Sequence, residues 1–142
     1  MRSDCFIDTN IWVYAFLESE KDSRKQAAAL ALLRSLSAAS RIVVSAQVIN
    51  EFHWTLARKY AIADSIIHDK VENGIARLAD IVPLDYATYR DSHNLRTTCR
   101  LSFWDSLIVA SALHNGCATL YSEDLAHNMV IHKTLRITNP FV

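Results

Sequence analysis

The chain has 142 residues, of which 51% are hydrophobic and 21% charged, with only two glycines and two prolines. That length and apolar content suit a single folded domain over residues 1–142 and exclude a disordered, fibrous or low-complexity chain. Fifteen Lys and Arg balance fifteen Asp and Glu, so charge alone advertises no nucleic-acid binding, although a neutral total can hide an acidic pocket in a basic rim.

In chain order, Cys5-Phe6-Ile7 is a short β-prone apolar run that predicts a buried first strand. Ile11 to Leu17 reads as a short helix after Asp8-Thr9-Asn10, and Lys25 to Ser37 as an Ala/Leu-rich helix. Arg41 to Ser45 is β-branched and predicts a second strand. Ala46 to Tyr60 follows as a helix, with Val48, Phe52, Leu56 and Tyr60 spaced for one face. A further helix is predicted over Ile62 to Leu78, and a third strand at Ile81-Val82, stopped by Pro83. Tyr86 to Thr97 and Phe103 to His114 are the next helices, the second ended by Asn115-Gly116. Ala118 to Tyr121 predicts a fourth strand and Leu135 to Ile137 a fifth.

Short apolar strands alternating with helices predict an α/β fold with a parallel sheet covered on both faces and right-handed crossovers. In such sheets ligands bind beyond the carboxyl ends of the strands. The three cysteines, Cys5, Cys99 and Cys117, have no zinc-like spacing and read as reduced thiols of a cytoplasmic protein. No secretory signal and no apolar stretch of ~20 residues is visible, so no membrane span is expected.

Four acids fall at the expected edge. Asp8 follows the first strand directly, and Asp124 the fourth, after Ser122 and Glu123. Glu51 lies in the second turn of the helix after strand two, and Asp105 in the first turn of the helix before strand four. Each has an ordinary explanation. Asp8 can cap the helix at Ile11, Ser102-x-x-Asp105 is a capping-box pattern, Asp124 can cap a turn, and Glu51 can be a solvated helix residue. Jointly they are harder to dismiss. Asp8, Glu51 and Asp105 lie in apolar surroundings such as FIDTNIWVYAF and FWDSLIVASAL, where unpaired carboxylates are costly, and four acids close together raise one another's pKa. A divalent cation relieves both problems. Mg²⁺ and Mn²⁺ prefer such oxygen ligands, and one or two ions can activate water and clamp a phosphodiester, with the second ion expected to arrive only with the substrate.

These residues resemble the PIN domain, particularly the VapC-type toxins of bacterial toxin–antitoxin pairs. Phe6-Ile7-Asp8-Thr9-Asn10 is similar to the family's opening strand and first acid, and Asn50-Glu51 to its second. Asp105-Ser106-Leu107-Ile108-Val109-Ala110-Ser111-Ala112 resembles the D-x-x-I-x-A-x-A helix with the third acid, and Leu120-Tyr121-Ser122-Glu123-Asp124 the Thr/Ser-x-Asp motif with the fourth. The resemblance implies a PIN-like three-layer α/β/α sandwich with a mostly parallel sheet of four to five strands. It implies Mg²⁺- or Mn²⁺-dependent endoribonuclease activity with Asp8, Glu51, Asp105 and Asp124 as metal-binding catalytic acids. Thr9, Asn10 and Ser122 would orient ligands or waters. Ser122 stands where Thr is common and Leu125 replaces an aromatic, which leaves Glu123 and Asp124 as rival fourth acids, with Asp124 fitting the Ser-x-Asp spacing. The implied partners are an RNA substrate, a cognate antitoxin and a second copy of the chain.

The alternatives are a non-catalytic domain of the same fold, and a metal-dependent DNA nuclease or phosphatase. The six histidines form no zinc-like spacing, and only His127 is a candidate RNA contact. Trp12, Trp54 and Trp104 are expected in the core, since base stacking requires an exposed ring. Arg58, Lys59, Arg96 and Arg100 are expected on a solvated surface, with an RNA path as the alternative. The Ala/Leu-rich helix packs either on the core or on a partner.

Overall fold

In the computed structural model, which describes residues 3–142, the apolar run Cys5–Ile7 forms strand β1 at the middle of a six-stranded sheet. Helices α1 (Thr9–Phe16) and α2 (Ser23–Ala39) lead to β2 (Ile42–Ser45), and α3 (Ala46–Arg58) follows at once. Next come α4 (Asp64–Lys70), a π-helical turn (Val71–Ile75), α5 (Ala76–Leu78) and β3 (Asp80–Val82). Helices α6 (Tyr86–Thr98) and α7 (Phe103–His114) precede β4 (Thr119–Tyr121), β5 (Val130–Ile131) and β6 (Leu135–Thr138).

The strand order is β3-β2-β1-β4-β6-β5, with every pairing parallel except β5 against β6. Right-handed crossovers from β1 through β2 to β3 put α1 to α5 on one face. The return from β3 to β4 puts α6 and α7 on the other, where the two pack against each other. This is the expected three-layer sandwich, with one strand more than the four to five expected. The extra strand, β5, has two residues and lies among turn residues, too short for periodicity to register.

Chain connections leave β1 toward β2 but leave β4 toward β6. The strand order therefore reverses between β1 and β4, and a crevice opens at their carboxyl ends. Hydrogen bonds carry the pairing past the strand ends. Asp8 N–H donates to the Tyr121 carbonyl at 3.0 Å, and Ser122 N–H to the Thr138 carbonyl at 3.1 Å. Phe6, Ile7, Val43, Val44 and Leu120 of the sheet are fully buried against Ile11, Trp12, Phe52 and Leu56 of the helices. Burial of each such side chain contributes about 1.5–3 kcal/mol, which fixes the frame on which the polar edge stands.

Two helices begin at this edge, one on each face of the sheet. Helix α3 starts there because it follows β2 without a loop. Helix α7 starts there because it runs antiparallel to the strands before entering β4. The Ser102 Oγ caps α7 by accepting from Asp105 N–H at 3.2 Å, the capping pattern read in the sequence. Gly116, at φ +67°, ends it in a left-handed conformation that suits glycine. No described helix is long and apolar enough to cross a membrane.

Candidate functional site

Asp8 is 6% exposed although it stands at the mouth of the crevice. It is the N-cap of α1, one of its carboxylate oxygens accepting from Thr9 N–H at 2.8 Å. The other accepts from the Ser122 hydroxyl, also at 2.8 Å. Burial pushes its carboxyl up to about 7 despite these two hydrogen bonds, and the charges of Glu51 and Asp124 push it the same way.

Asp124 sits on the exposed side of the same edge. Its Oδ2 accepts from the Asn10 side-chain amide at 3.0 Å, and its N–H donates to Ser122 Oγ at 3.2 Å. Asn10 also accepts from Glu123 N–H at 3.2 Å, so one amide holds the whole Ser122–Asp124 turn against α1. The Glu123 side chain is engaged elsewhere. Its carboxylate accepts from Tyr14 Oη at 2.9 Å and forms an ion pair with Lys25 of α2. The structure thus gives Glu123 a bridging contact between helices and leaves Asp124 beside Asp8.

Glu51 and Asp105 arrive from the two helices. Gln47, buried on the first turn of α3, donates to Glu51 Oε1 at 2.7 Å and to the Trp104 carbonyl at 3.2 Å. That one amide joins the start of α3 to the start of α7. The half-buried Glu51 carboxyl is raised by burial, opposed by the Gln47 hydrogen bond, and raised further by the charges of Asp105 and Asp124. Neither Gln47 nor the Lys25–Tyr14–Glu123 contact is foreseen in the sequence reading. The four-residue spacing of Gln47 and Glu51 is the signal that could have shown the first.

The four acids therefore share one edge, and their charges act on one another. Among the described residues, however, no three acids, histidines or cysteines close around a single ion position. Three of the four carboxylates are instead held by hydrogen bonds: Asp8 by Thr9 and Ser122, Glu51 by Gln47 and Asp124 by Asn10. The donor set still fits a hard divalent cation. It is all oxygen, and Mg²⁺ takes only one or two protein carboxylates and keeps its remaining waters. The buried Thr9 Oγ1 has no hydrogen-bond partner at this spot and is available to a bound water. The cleft that opens here, of ≈ 300 Å³, is lined by Asn10, Glu51, Glu123 and Asp124 on its acidic side and by Lys59 and Tyr60 farther out.

Other expectations fare differently. Trp12 is in the core and its indole donates to the Ile7 carbonyl at 3.2 Å. Trp54 and Trp104 are not in the core; they are exposed, because each lies on the outward side of its helix. The exposed His127 accepts from Asn139 N–H at 2.9 Å through Nδ1. Arg96 donates to Ser92 and Ser106 and lies over the Phe103 ring. Helix α2 packs on α1 and buries Ala29, Leu33 and Leu36, so its inner stripe belongs to the core.

A PIN-domain family model matches residues 5–130. The chain belongs to the PIN-domain family. A comparison with curated proteins finds no match. Among solved structures, the fold is similar to VapBC2 from Rickettsia felis bound to a DNA fragment from its promoter, at 17% identity and TM-score 0.71, covering 96% of this chain and 99% of that one. It is similar to Mycobacterium tuberculosis VapC20, a sarcin–ricin loop cleaving toxin, at 15% identity and TM-score 0.68 over 84% and 89% of the two chains. It is also similar to a toxin–antitoxin complex from Klebsiella pneumoniae, at 19% identity and TM-score 0.63 over 96% and 97%. At these identities the likeness is one of fold.

Proposed function

We propose that this PIN domain is a Mg²⁺- or Mn²⁺-dependent endoribonuclease, the toxin of a type II toxin–antitoxin pair, acting in the cytoplasm. The observation that carries the reading is Asp8, a buried carboxylate at the strand-order reversal with other acids pressing on it. A protein does not ordinarily keep such a group without a counter-charge. Asp8, Asp124, Glu51 and Asp105 would hold one or two ions. When bound, these supply an activated water and positive charge beside the scissile phosphate. Ser122 and Thr9 orient Asp8, Asn10 orients Asp124, and Gln47 orients Glu51, so three of the four carboxylates are aimed before substrate arrives.

The toxin reading draws on the family and on the fold shared with VapC20 and the Klebsiella pneumoniae complex. It brings with it an antitoxin partner and a homodimer. The run from edge strand β3 into α6 exposes Ile81, Tyr86 and Tyr89, a surface available for such association. Three unpaired thiols, Cys5, Cys99 and Cys117, suit a reducing compartment.

The test is to incubate purified protein with matched RNA and DNA in Mg²⁺, Mn²⁺ or chelator, alongside Asp8→Asn. The reading predicts internal cuts in RNA only, lost with chelator and lost in the variant. Cutting of DNA would instead favour the other nuclease class. Cutting that survives Asp8→Asn would come from a contaminant or from another site. No cutting of any RNA with either metal would leave a binding domain.

A further inference from the structure

The outward face of α3 carries two neighbouring rows of side chains. Residues four apart stand above one another on a helix, so Glu51, Thr55 and Lys59 form one row and Asn50, Trp54 and Arg58 the next. The first row lines the acid cleft. Asn50 and Trp54 of the second, with Trp104 and Leu84, border an apolar groove of ≈ 480 Å³, and Glu51 lies on the lip that both share. Trp54 is 64% exposed and Trp104 61%. The Arg58 guanidinium lies over the Trp54 ring, 5.1 Å from its centroid. Among the described residues, no ion pair engages Arg58 or Lys59.

We propose that this face is a track for single-stranded RNA, in which bases stack on Trp54 and Trp104 while Arg58 and Lys59 hold backbone phosphates. The inference rests on the ribonuclease reading and deepens it by assigning the route to the acids. Glu51 and Lys59 are eight residues apart, about 12 Å along the helix, so a short run of nucleotides spans the distance from the cations to the carboxylates. An indole face accepts any base, and the cations supply the sequence-independent part of binding. Charge complementarity selects the occupant. An apolar helix seated here would bring Arg58 and Lys59 no counter-charge, whereas a phosphodiester chain brings one at every step. Two exposed indoles in one groove, beside cations and on the lip of an acid cleft, are also more than the scattered apolar residues an ordinary surface carries.

The test uses the whole protein in chelator, so that binding is read without cleavage. A single-stranded RNA of about eight nucleotides, within the site sizes usual for stacking platforms, is titrated while tryptophan emission is followed. Emission is expected to be quenched. Trp54→Ala and Trp104→Ala should each weaken binding roughly 5- to 100-fold, the loss that follows removal of one stacking partner. Trp→Phe at either position should restore most of the affinity and Trp→Leu should not, since leucine is apolar but has no ring face. The double variant Trp54→Phe/Trp104→Phe retains only buried Trp12, whose emission should not respond. Arg58→Ala should flatten the salt dependence of binding.

Leucine variants that bind as tightly as the native protein would overturn the track. So would a labelled RNA that binds without changing the emission of native protein. Cleavage by native protein that is abolished by Asp8→Asn but indifferent to both Trp→Leu changes would overturn the track and leave the ribonuclease reading standing. Quenching by RNA in a protein that cuts nothing with either metal would do the reverse.

Discussion

Asp8 is at once a helix cap, a hydrogen-bond acceptor and a buried charge. The first two roles favour its ionised form and burial opposes it, and burial wins: the carboxyl rises from 3.8 to about 7. Because the folded form holds the proton more tightly than the unfolded form, the contribution to stability is complete below about pH 4, the ordinary Asp value. It is lost as pH rises through about 7. At pH 8 in chelator the ionised carboxylate therefore costs on the order of 4 kcal/mol. Asn is an equally good N-cap with no charge to bury. Asp8→Asn should accordingly be more stable than native protein at pH 8 and close to it at pH 4, as thermal melts across that range would show. Equal melting at both pH values would mean that Asp8 is not desolvated as described.

The sequence already places Asp8 after a strand, but its burial depends on the Ser122 hydroxyl arriving from 114 residues away. The choice between Glu123 and Asp124 is likewise invisible along the chain. What separates the two side chains is Lys25, on a helix 98 residues earlier, which pairs with the Glu123 carboxylate. No local pattern reports such a pairing.

At the scale of elements, the π-helical turn Val71–Ile75 interrupts what reads as one helix from Ile62 to Leu78. Gly74 sits in this turn against the Phe16 ring of α1, and a Cβ built there would stand 3.0 Å from Phe16 Cζ. The ring has little freedom to move away. It stacks on Trp12 with centroids 6.0 Å apart and meets Phe52 edge-on at 6.3 Å. Alanine gains about 1 kcal/mol of helix propensity over glycine. Overpacking a pinned contact costs about 1–3 kcal/mol, so the clash should win. Gly74→Ala should lower urea-unfolding stability by about 1 kcal/mol, and Phe16→Leu in the same chain should relieve part of the loss. A Gly74→Ala protein more stable than the native one would mean that the ring moves freely.

Helix boundaries were largely legible where caps are explicit. Ser102 and Asn115-Gly116 bracket α7 at Phe103–His114, as read. Exposure was less legible. Trp54 lies off the Val48–Phe52–Leu56 stripe, and that spacing was the available sign of its outward position. For Trp104 there was no such sign. Ser106 to Ala112 are all buried, so α7 has no polar face from which to judge direction.

For the whole molecule, the alternation of strands and helices was sufficient to place residues 8, 51, 105 and 124 at one sheet edge. Parallel strands linked by right-handed crossovers present every strand end and every following helix start on the same side. What remained hidden was the order of strands, because β5 is two residues long and pairs antiparallel at the far end. The edge brings the four acids into mutual electrostatic reach while local hydrogen bonds hold three of their carboxylates. A cation entering there displaces the Asp8 proton, so affinity should rise with pH through about 7.

The most direct measurement is a calorimetric titration of Mn²⁺ into chelator-stripped protein at pH 6 and pH 8, for the native chain and for Asp8→Asn, Asp124→Asn and Glu123→Gln. The account predicts saturable binding that is tighter at pH 8. Binding should be abolished by Asp8→Asn, weakened at least tenfold by Asp124→Asn, about 1.4 kcal/mol, and left nearly unchanged by Glu123→Gln. Mn²⁺ binding of equal strength in native protein and Asp8→Asn, or none in native protein at pH 8, would contradict it.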